Sequence, residues 1–368
     1  GALTCHVCYH SNIPMLFRSR TTPLDFVAIG DCTIDAFLTI EEATVTCNLH
    51  QESCSLCLSY GEKVPIKSIT NIVGAGNASN VAIGASRLGW KSAVHSIVGT
   101  DAHGDAILGN WKEEGVQTSL VQTDKIHPTN YHTVLHYKDE RTILIYHQPR
   151  HYHLPTLPDT RWIYYTSLGQ GHERLEHQLL SYLRSHQETK LLFQPGTFQL
   201  RRGTKAITLA IAASHVFAVN KQEAQHLLND PTDSIQKLAN GLHKLGTKIA
   251  IITDGTAGSY VSDGNELWFC PIFPGKAVER TGAGDSYTLG FVYGYDQTGS
   301  IADAMRYGTA NSWSVVQHIG PHLGLLSKKR IEAVLKQFPT IIPVRYTDSQ
   351  TAKKPARKPA TKKRSAKA

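Results

Sequence analysis

Long apolar segments are missing from this 368-residue chain, and their absence excludes one broad class of protein. No stretch approaches the roughly 18 consecutive apolar residues that a membrane-spanning helix requires. The first twenty residues also lack the apolar centre of a secretion signal. With 41% hydrophobic residues, the composition is that of a globular protein with a sizeable core. We therefore expect no membrane span and a cytoplasmic protein.

Acidic residues are absent from the last eighteen positions, which carry eight lysines and arginines. Without those eight, the basic residues equal the 30 acidic ones, so the formal charge of +8 belongs to the tail. We predict that residues 349–368 form a disordered Lys/Ala/Pro tail. Such a tail either contacts nucleic acid non-specifically or only aids solubility. The neutral body argues against a protein whose fold serves nucleic-acid binding.

Cysteine is scarce and odd in number, with seven residues. An odd count without a secretion signal favours reduced thiols in a cytoplasm. However, Cys54 and Cys57 have the two-residue gap of a zinc knuckle, Cys47 lies close by, and Cys5 and Cys8 form a similar pair. Two interpretations stay open: a structural zinc site that includes Cys47, Cys54 and Cys57, or free thiols in a β-structured insertion.

Strand and helix patterns alternate along most of the chain. A short apolar run at residues 26–30, ended by glycine, predicts a buried strand, and later apolar runs alternate with amphipathic stretches. This order favours a mostly parallel sheet covered by helices on both faces. Residues 38–73 and 131–147 instead resemble short solvent-facing strands, the second segment forming a hairpin. Residues 1–24 have no periodicity and are predicted to be an irregular extension.

The most informative motif is Gly282-Ala283-Gly284-Asp285, which precedes a helix-like stretch. Two glycines around a small residue let successive amides point into one concavity at a helix start, where an anion binds. A carboxylate facing such an oxyanion hole makes sense as a base that deprotonates an attacking hydroxyl. The alternative is a glycine turn whose aspartate caps the helix.

A second glycine-rich turn, residues 74–80, precedes an early helix. Gly76 permits close approach of a ligand, and Asn77 and Asn80 offer both donors and acceptors to polyol hydroxyls. Asp35, a few residues after the first strand, is suited to accept hydrogen bonds from a sugar. The alternatives are a packed turn with an N-cap and a solvent-exposed acid.

Asn220 and Glu223 stand where a strand gives way to a helix. At this spacing they share a helical face and suit Mg²⁺ bound through its water shell, with Glu223 as the metal contact. The alternative is a capping arrangement that serves only the helix.

Together these motifs, in this order and about 200 residues apart, resemble the ribokinase/PfkB family of sugar and nucleoside kinases over residues 25–338. The resemblance implies an α/β fold of the ribokinase type: three α/β/α layers around a mostly parallel central sheet, with a small β-sheet lid. Residues 38–73 and 131–147 match the lid, which in similar proteins closes over the acceptor and often mediates homodimers.

The resemblance also implies roles for individual residues. The amides of Gly282, Ala283 and Gly284 hold the transferring phosphoryl group, and Asp285 takes the proton of the acceptor hydroxyl. The residues implied on the acceptor side are Asp35, Gly76, Asn77 and Asn80. The residues implied on the nucleotide side are Asn220, Glu223, Thr253, Gly255, Gly258, Thr281 and Asn311.

Two departures from the family pattern stand out. Glu279-Arg280 replaces an Asp-Thr pair, and Gln194 stands where an aspartate often follows the central strand. The sequence thus predicts a kinase that uses ATP and Mg²⁺ to phosphorylate a hydroxyl of a sugar. A nucleoside kinase and a ligand-binding regulator of the same fold with little turnover are the alternatives.

Overall fold

A computed structural model describes residues 23–48, 54–138 and 140–347. The basic tail at 349–368 and nearly all of the extension at 1–24 lie outside these residues, so their predictions stay open. The strands are β1 (Leu24–Ile29), β2 (Thr33–Ile40), β3 (Thr44–Cys47), β4 (Cys54–Cys57), β5 (Ile66–Ala75), β6 (Ser92–His95), β7 (Ile97–Gly99), β8 (Gln122–Asp124), β9 (Tyr131–Tyr137), β10 (Glu140–Tyr146), β11 (Thr160–Tyr165), β12 (Lys190–Phe193), β13 (Val216–Asn220), β14 (Ile249–Thr253), β15 (Ser259–Ser262), β16 (Leu267–Cys270) and β17 (Val344–Arg345). The helices are α1 (Asn77–Arg87), α2 (Ala102–Glu113), α3 (Glu173–Ser185), α4 (Thr197–Arg201), α5 (Thr204–Ala213), α6 (Lys221–Leu228), α7 (Ile235–Lys244), α8 (Ala283–Thr298), α9 (Ile301–Val315) and α10 (Lys328–Gln337).

Nine strands form the central sheet, in the order β17-β16-β15-β14-β13-β12-β11-β1-β6. In this sheet, neighbouring strands among β14, β13, β12, β11, β1 and β6 pair in parallel. Strands β15, β16 and β17 extend it at one edge with antiparallel pairing. One face carries a core built with α1, α2, α8, α9 and α10, and the other a core built with α3, α5, α6 and α7. The predicted mostly parallel sheet between two helical layers is confirmed.

A separate four-stranded sheet, in the order β10-β9-β2-β5, stands beside the carboxyl ends of the central strands. It corresponds to the two segments predicted at 38–73 and 131–147, but its strands start earlier, at Thr33, and continue to Ala75. The hairpin of β9 and β10 is as predicted. Along β10 every residue is exposed, including the apolar run Ile143–Tyr146. Dimerisation through this sheet stays a prediction.

Neither the zinc site nor the free thiols predicted from the sequence hold for Cys47 and Cys54. In the hairpin of β3 and β4, antiparallel register places Cys47 opposite Cys54, with their Cα atoms 4.0 Å apart, and a disulfide joins them. Two of the three proposed zinc ligands therefore lack a free thiolate, and the described residues contain no metal-binding group of three or more His, Cys, Asp or Glu. Cys5 and Cys8 lie outside the described residues. No helix in the described segments has the length and apolarity needed to cross a membrane.

A disulfide and a zinc site can be distinguished by the masses of the peptides that carry the cysteines. In an unreduced, alkylated digest we expect one cross-linked species that joins the peptides of Cys47 and Cys54, because the hairpin holds their Cβ atoms face to face. Mass spectrometry after cleavage between the two cysteines measures it, and Cys57→Ser is the control that should leave the cross-link intact. Complete alkylation of Cys54 without reductant would contradict the pairing.

A buried chain of hydrogen bonds fixes the glycine-asparagine turn to the core. The indole of Trp111, on α2, is fully buried and donates from Nε1 to Ser79 Oγ at 2.6 Å. Ser79, in the first turn of α1, donates in turn to the carbonyl of Gly74. This chain ties α2, α1 and the end of β5 together at the point where Asn77 and Asn80 begin the helix.

Trp111→Phe should therefore lower the free energy of unfolding by about 1–3 kcal/mol, because it removes a buried hydrogen bond and leaves a small cavity. Denaturant titration followed by circular dichroism measures the change. The control is Trp268→Phe on β16, whose side chain is half-buried and whose indole makes no such bond. Equal losses for the two variants would show that the Ser79 contact contributes nothing.

Candidate active site

Helix α8 begins at Ala283, and the residue before it has a conformation that requires glycine. Gly282 has φ +77°, and a Cβ atom there would lie 2.6 Å from Pro321 Cβ. The amide of Ala283 donates to the carbonyl of Arg280 at 3.2 Å, which removes it from the predicted anion hole. Within the described chain, the amides of Gly282, Gly284 and Asp285 have no backbone acceptor. The positive end of α8 and these three donors form a candidate anion site.

Asp285, three residues into the helix, is only 6% exposed and accepts three hydrogen bonds from side-chain amides. Asn77 and Asn80, both on α1, donate to its two oxygens at 2.8 Å each. Gln194, which directly follows β12, donates to Oδ1 at 3.0 Å. The structure thus brings together the two motifs that lie about 200 residues apart, as the sequence predicted.

The surroundings of Asp285 act on its pKa in opposite directions. Burial raises the pKa above its ordinary value, because a charged carboxylate loses hydration inside the protein. The amide donors of Asn80, Asn77 and Gln194 counteract this by stabilising the ionised form. The result is a poorly hydrated carboxylate with a raised proton affinity, which is the property of a general base.

His322, which the sequence did not single out, orients one of these donors. Its Nε2 lies 2.9 Å from Asn80 Oδ1, so the ring donates there and the Asn80 amide nitrogen is turned towards Asp285. Burial, reinforced by the charge of Arg87, lowers the pKa of His322 to about 4, which keeps the ring neutral. Arg87 in turn donates to the His322 carbonyl and pairs with Glu114. No sequence pattern signals this long-range contact.

Beside the first turns of α8 lies a small cavity of about 90 Å³. Its lining includes Gly284 of the anion site and three residues predicted for the nucleotide side, Asn220, Glu223 and Thr253. Thr253 ends β14 directly beside Asn220, the last residue of β13, because the two parallel strands are in register there. The predicted phosphate-side residues therefore converge at the carboxyl edge of the sheet.

The capping interpretation of Asn220 and Glu223 is correct in the structure. Asn220 Oδ1 accepts from the Glu223 amide at 2.9 Å, and Glu223 Oε2 accepts from the Asn220 amide at 2.8 Å. Glu223 Oε1 accepts no hydrogen bond from any described residue. Burial raises the pKa of Glu223, and the charge of Asp285 raises it further. Capping and cation binding are thus compatible, since each uses a different oxygen.

Four other predicted nucleotide-side residues have mainly structural contacts. Gly255 begins a short 3₁₀ turn, and Gly258 has φ +110°, where a Cβ atom would lie 2.5 Å from the Cys270 carbonyl. Thr281 donates from both its amide and its hydroxyl to Glu279. The carboxamide of Asn311 is buried between backbone groups of α8 and the segment before α10. Asn311 therefore braces α8, and its contact with an adenine stays a prediction.

The residues predicted for the acceptor side lie around the end of β1 and the four-stranded sheet. Asp35, on β2, places Oδ1 3.4 Å from His132 Nδ1 on the adjacent β9. Asp31, which the sequence reasoning passed over, follows the end of β1, and a Cβ atom on Gly76 would lie 2.7 Å from its carbonyl. Its position at the carboxyl end of a parallel strand was the signal that could have found it.

Three comparisons place these observations among known proteins. The sequence model of the pfkB family of carbohydrate kinases matches residues 35–328 of this chain. The 5-dehydro-2-deoxygluconokinase of Geobacillus thermodenitrificans is 30% identical over 80% of this chain and 88% of its own length.

Solved structures show the same fold at low sequence identity. Arabidopsis thaliana ribokinase, in complex with ribose and ATP, superposes with a TM-score of 0.71 at 19% identity, over 86% of this chain and 99% of the ribokinase. The nucleoside kinase of Methanocaldococcus jannaschii gives 0.68 at 18% identity, over 85% of this chain and 99% of its own. The predicted ribokinase-like fold is confirmed, and the chain belongs to the pfkB family of carbohydrate kinases.

Proposed function

We propose that this kinase transfers the γ-phosphate of ATP to a hydroxyl group of a sugar, with Asp285 as the general base. The observation that carries the proposal is the position of Asp285. Its carboxylate is held by Asn77 and Asn80, while the adjacent amides of Gly284 and Asp285 have no backbone acceptor among the described residues. A base and an anion site thus share the first turn of one helix. The ribokinase neighbour solved with ribose and ATP supports ATP as the donor.

The proposed transfer involves the acceptor hydroxyl, ATP and Asp285, and its bonds and proton are accounted for as follows. The acceptor oxygen forms a bond to the γ-phosphorus, the bond from that phosphorus to the β-phosphate oxygen breaks, and ADP departs with the electron pair. Asp285 receives the proton of the hydroxyl. The amides of Gly282, Gly284 and Asp285 stabilise the charge on the transferring group, and they need no reorganisation because α8 already fixes them.

Magnesium fits the phosphate side through Glu223. A single free carboxylate oxygen beside the cavity suits an ion that keeps most of its water shell. Burial raises the pKa of Glu223 and the charge of Asp285 raises it further, so a cation beside this carboxylate would stabilise its ionised form. When bound, Mg²⁺ neutralises phosphate charge in the transfer.

The four-stranded sheet is the proposed lid over the acceptor. At its outer end Arg141, on β10, lies with Nη1 3.7 Å from Glu279 Oε1, just before the anion site. This ion pair connects the lid to the loop that presents Gly282. Closure of the lid excludes water, which would otherwise compete with the acceptor hydroxyl.

A nucleoside acceptor is the second candidate, and the nucleoside kinase neighbour shares the fold. Measuring ADP release with a panel of sugars and nucleosides separates the two. The reading as a regulator without turnover finds no support in the site, since Asp285 and all three of its amide donors are in place.

Asp285→Asn should fold normally and lose about 10²–10⁴-fold in kcat, because the base that accepts the hydroxyl proton is gone. Its free energy of unfolding should change little, since the variant also removes a poorly hydrated charge. Coupled ADP release and denaturant titration measure the two quantities. The matched control is Asp296→Asn in the last turns of the same helix, where the carboxylate pairs with Arg161 and should not affect turnover. Full activity of Asp285→Asn would refute the base assignment.

The rate should also report the titration of Asp285. A base must be deprotonated to act, so kcat/KM should fall as pH is lowered through the raised pKa of Asp285, at a higher pH than its ordinary value of 3.8. The residual rate of Asp285→Asn should lack this acidic limb, and Glu223→Gln should retain it. A profile that is the same with and without Asp285 would assign the limb to another group.

A further inference from the structure

Several buried polar atoms on the acceptor side have no hydrogen-bond partner among the described residues. They are Asp31 Oδ1, Asp35 Oδ1, His132 Nε2 and Thr166 Oγ1. Leaving such atoms unpaired in a protein interior is costly, so a set of them in one place indicates groups that a ligand completes. The set lies where the proposed function places the acceptor, and the inference below rests on that function.

Asp31 is the most informative member of the set. Its Oδ2 accepts three hydrogen bonds of 2.7 Å each, from His147 Nε2, from the Tyr152 hydroxyl and from the Gly169 amide. Its side chain is only 5% exposed, yet Oδ1 has no donor among the described residues. The three bonds all engage Oδ2 and leave Oδ1 without a donor, and an ionised carboxylate oxygen accepts hydrogen bonds only. The group that completes it is therefore a donor, such as a hydroxyl.

Asp31 and Asp35 belong to one continuous arrangement. His147 bonds to Asp31, its ring lies 6.2 Å from that of His132, and His132 faces Asp35. Even if both histidines were protonated, they would only balance the two aspartates, so the net charge of the four groups never becomes positive. Burial and the charge of Asp31 raise the pKa of Tyr152 well above its usual range, so its hydroxyl stays a neutral donor.

Cationic groups do not offset this acidity. The nearby arginine is Arg150, whose charge acts to lower the pKa of Tyr152 and whose side chain is fully buried. Its terminal nitrogens bond to Asp124 and to the carbonyls of His127 and Pro128. In the part of the chain that the structure covers, neither aspartate of the acceptor side forms an ion pair with lysine or arginine.

We propose that Asp31 and Asp35 form an acceptor clamp that selects an uncharged polyhydroxy acceptor and rejects one that carries a carboxylate. Both aspartates accept hydrogen bonds from acceptor hydroxyls, which satisfies the oxygens that have no hydrogen-bond donor among the described residues. A carboxylate on the acceptor would instead face two buried carboxylates that no lysine or arginine of the described residues pairs with, an unfavourable like-charge contact. Asp31 is thus a specificity-determining residue for this reaction.

Matched acceptor pairs test the clamp on the full chain with ATP and Mg²⁺. Each pair consists of a neutral sugar and the corresponding aldonate, for example ribose with ribonate and glucose with gluconate. We expect every acceptor with measurable ADP release to be uncharged, with kcat/KM at least about 100-fold above that of its acid partner. Equal or better use of an acid partner would overturn the proposal.

Asp31→Asn tests the residue itself. It should raise KM for the neutral acceptor more than it lowers kcat, and it should narrow the preference over the acid partner by about tenfold or more, because one of the two repelling charges is gone. The control is Asp25→Asn at the other end of β1, where the carboxylate pairs with exposed Arg161. If Asp31 had a purely structural role, Asp31→Asn would reduce kcat/KM equally for the neutral acceptor and its acid partner. An unchanged ratio of the two kcat/KM values would therefore refute the assignment.

Binding without turnover separates this inference from the proposed function. Thermal shifts of the unmodified protein are measured with each acceptor in the absence of ATP. Stabilisation by neutral acceptors alone, without any ADP release when ATP is added, would refute the kinase mechanism while supporting the clamp. ADP release with acids as good as with neutral sugars would do the reverse. The clamp would be overturned if acids raised the melting temperature as much as neutral sugars did, or if neither class of acceptor raised it.

Discussion

A buried negative charge on Asp285 is the constraint around which the rest of the site is arranged. An ionised carboxylate is expensive to bury, and here side-chain amides from α1 and from the end of β12 offset the lost hydration. These donors reach Asp285 only if α1 and α8 pack closely. Gly84 permits this, because a Cβ atom there would lie 2.3 Å from Leu289 Cδ2. Core packing and the position of the base are therefore one requirement.

Opposite electrostatic surroundings meet at this carboxylate. On the phosphate side, free amides and the positive end of α8 favour an anion. On the proposed acceptor side, Asp31 and Asp35 contribute carboxylate oxygens, which would favour hydroxyl groups. The two sides differ because one is the beginning of a helix and the other is the meeting of a strand end with the four-stranded sheet. In the proposed mechanism, the phosphate donor and the hydroxyl acceptor therefore approach Asp285 from electrostatically different surroundings.

The sequence predicted the features that depend on local pattern. Apolar periodicity identified the parallel strands, and the glycine motifs before α1 and α8 located Asn77, Asn80 and Asp285. It missed the antiparallel strands β15 to β17, which are only two to four residues long, and it did not foresee the Cys47–Cys54 disulfide. Sequence spacing alone does not distinguish a cysteine pair in hairpin register from a metal knuckle.

Residues that act through distant contacts were beyond the sequence. His322 reaches Asn80 from 242 positions away, and the hydrogen-bond partners of Asp31 lie 116 to 138 positions from it. His322 carries no local motif, and the strand end that marks the position of Asp31 does not reveal these partners, because packing of the whole domain brings them together.

The distance along the chain between Asp285 and its amide donors has a consequence for synthesis. Asn77 and Asn80 are made first, and 208 and 205 residues separate them from the aspartate they hold. A polypeptide still emerging from the ribosome therefore has the glycine-asparagine turn without the carboxylate that it holds, and a fragment that stops before α8 lacks both Asp285 and the amides beside it. Under the proposed mechanism, a chain consumes ATP only after the last fifth or so of the domain has been made and has docked, so an incomplete chain is inactive.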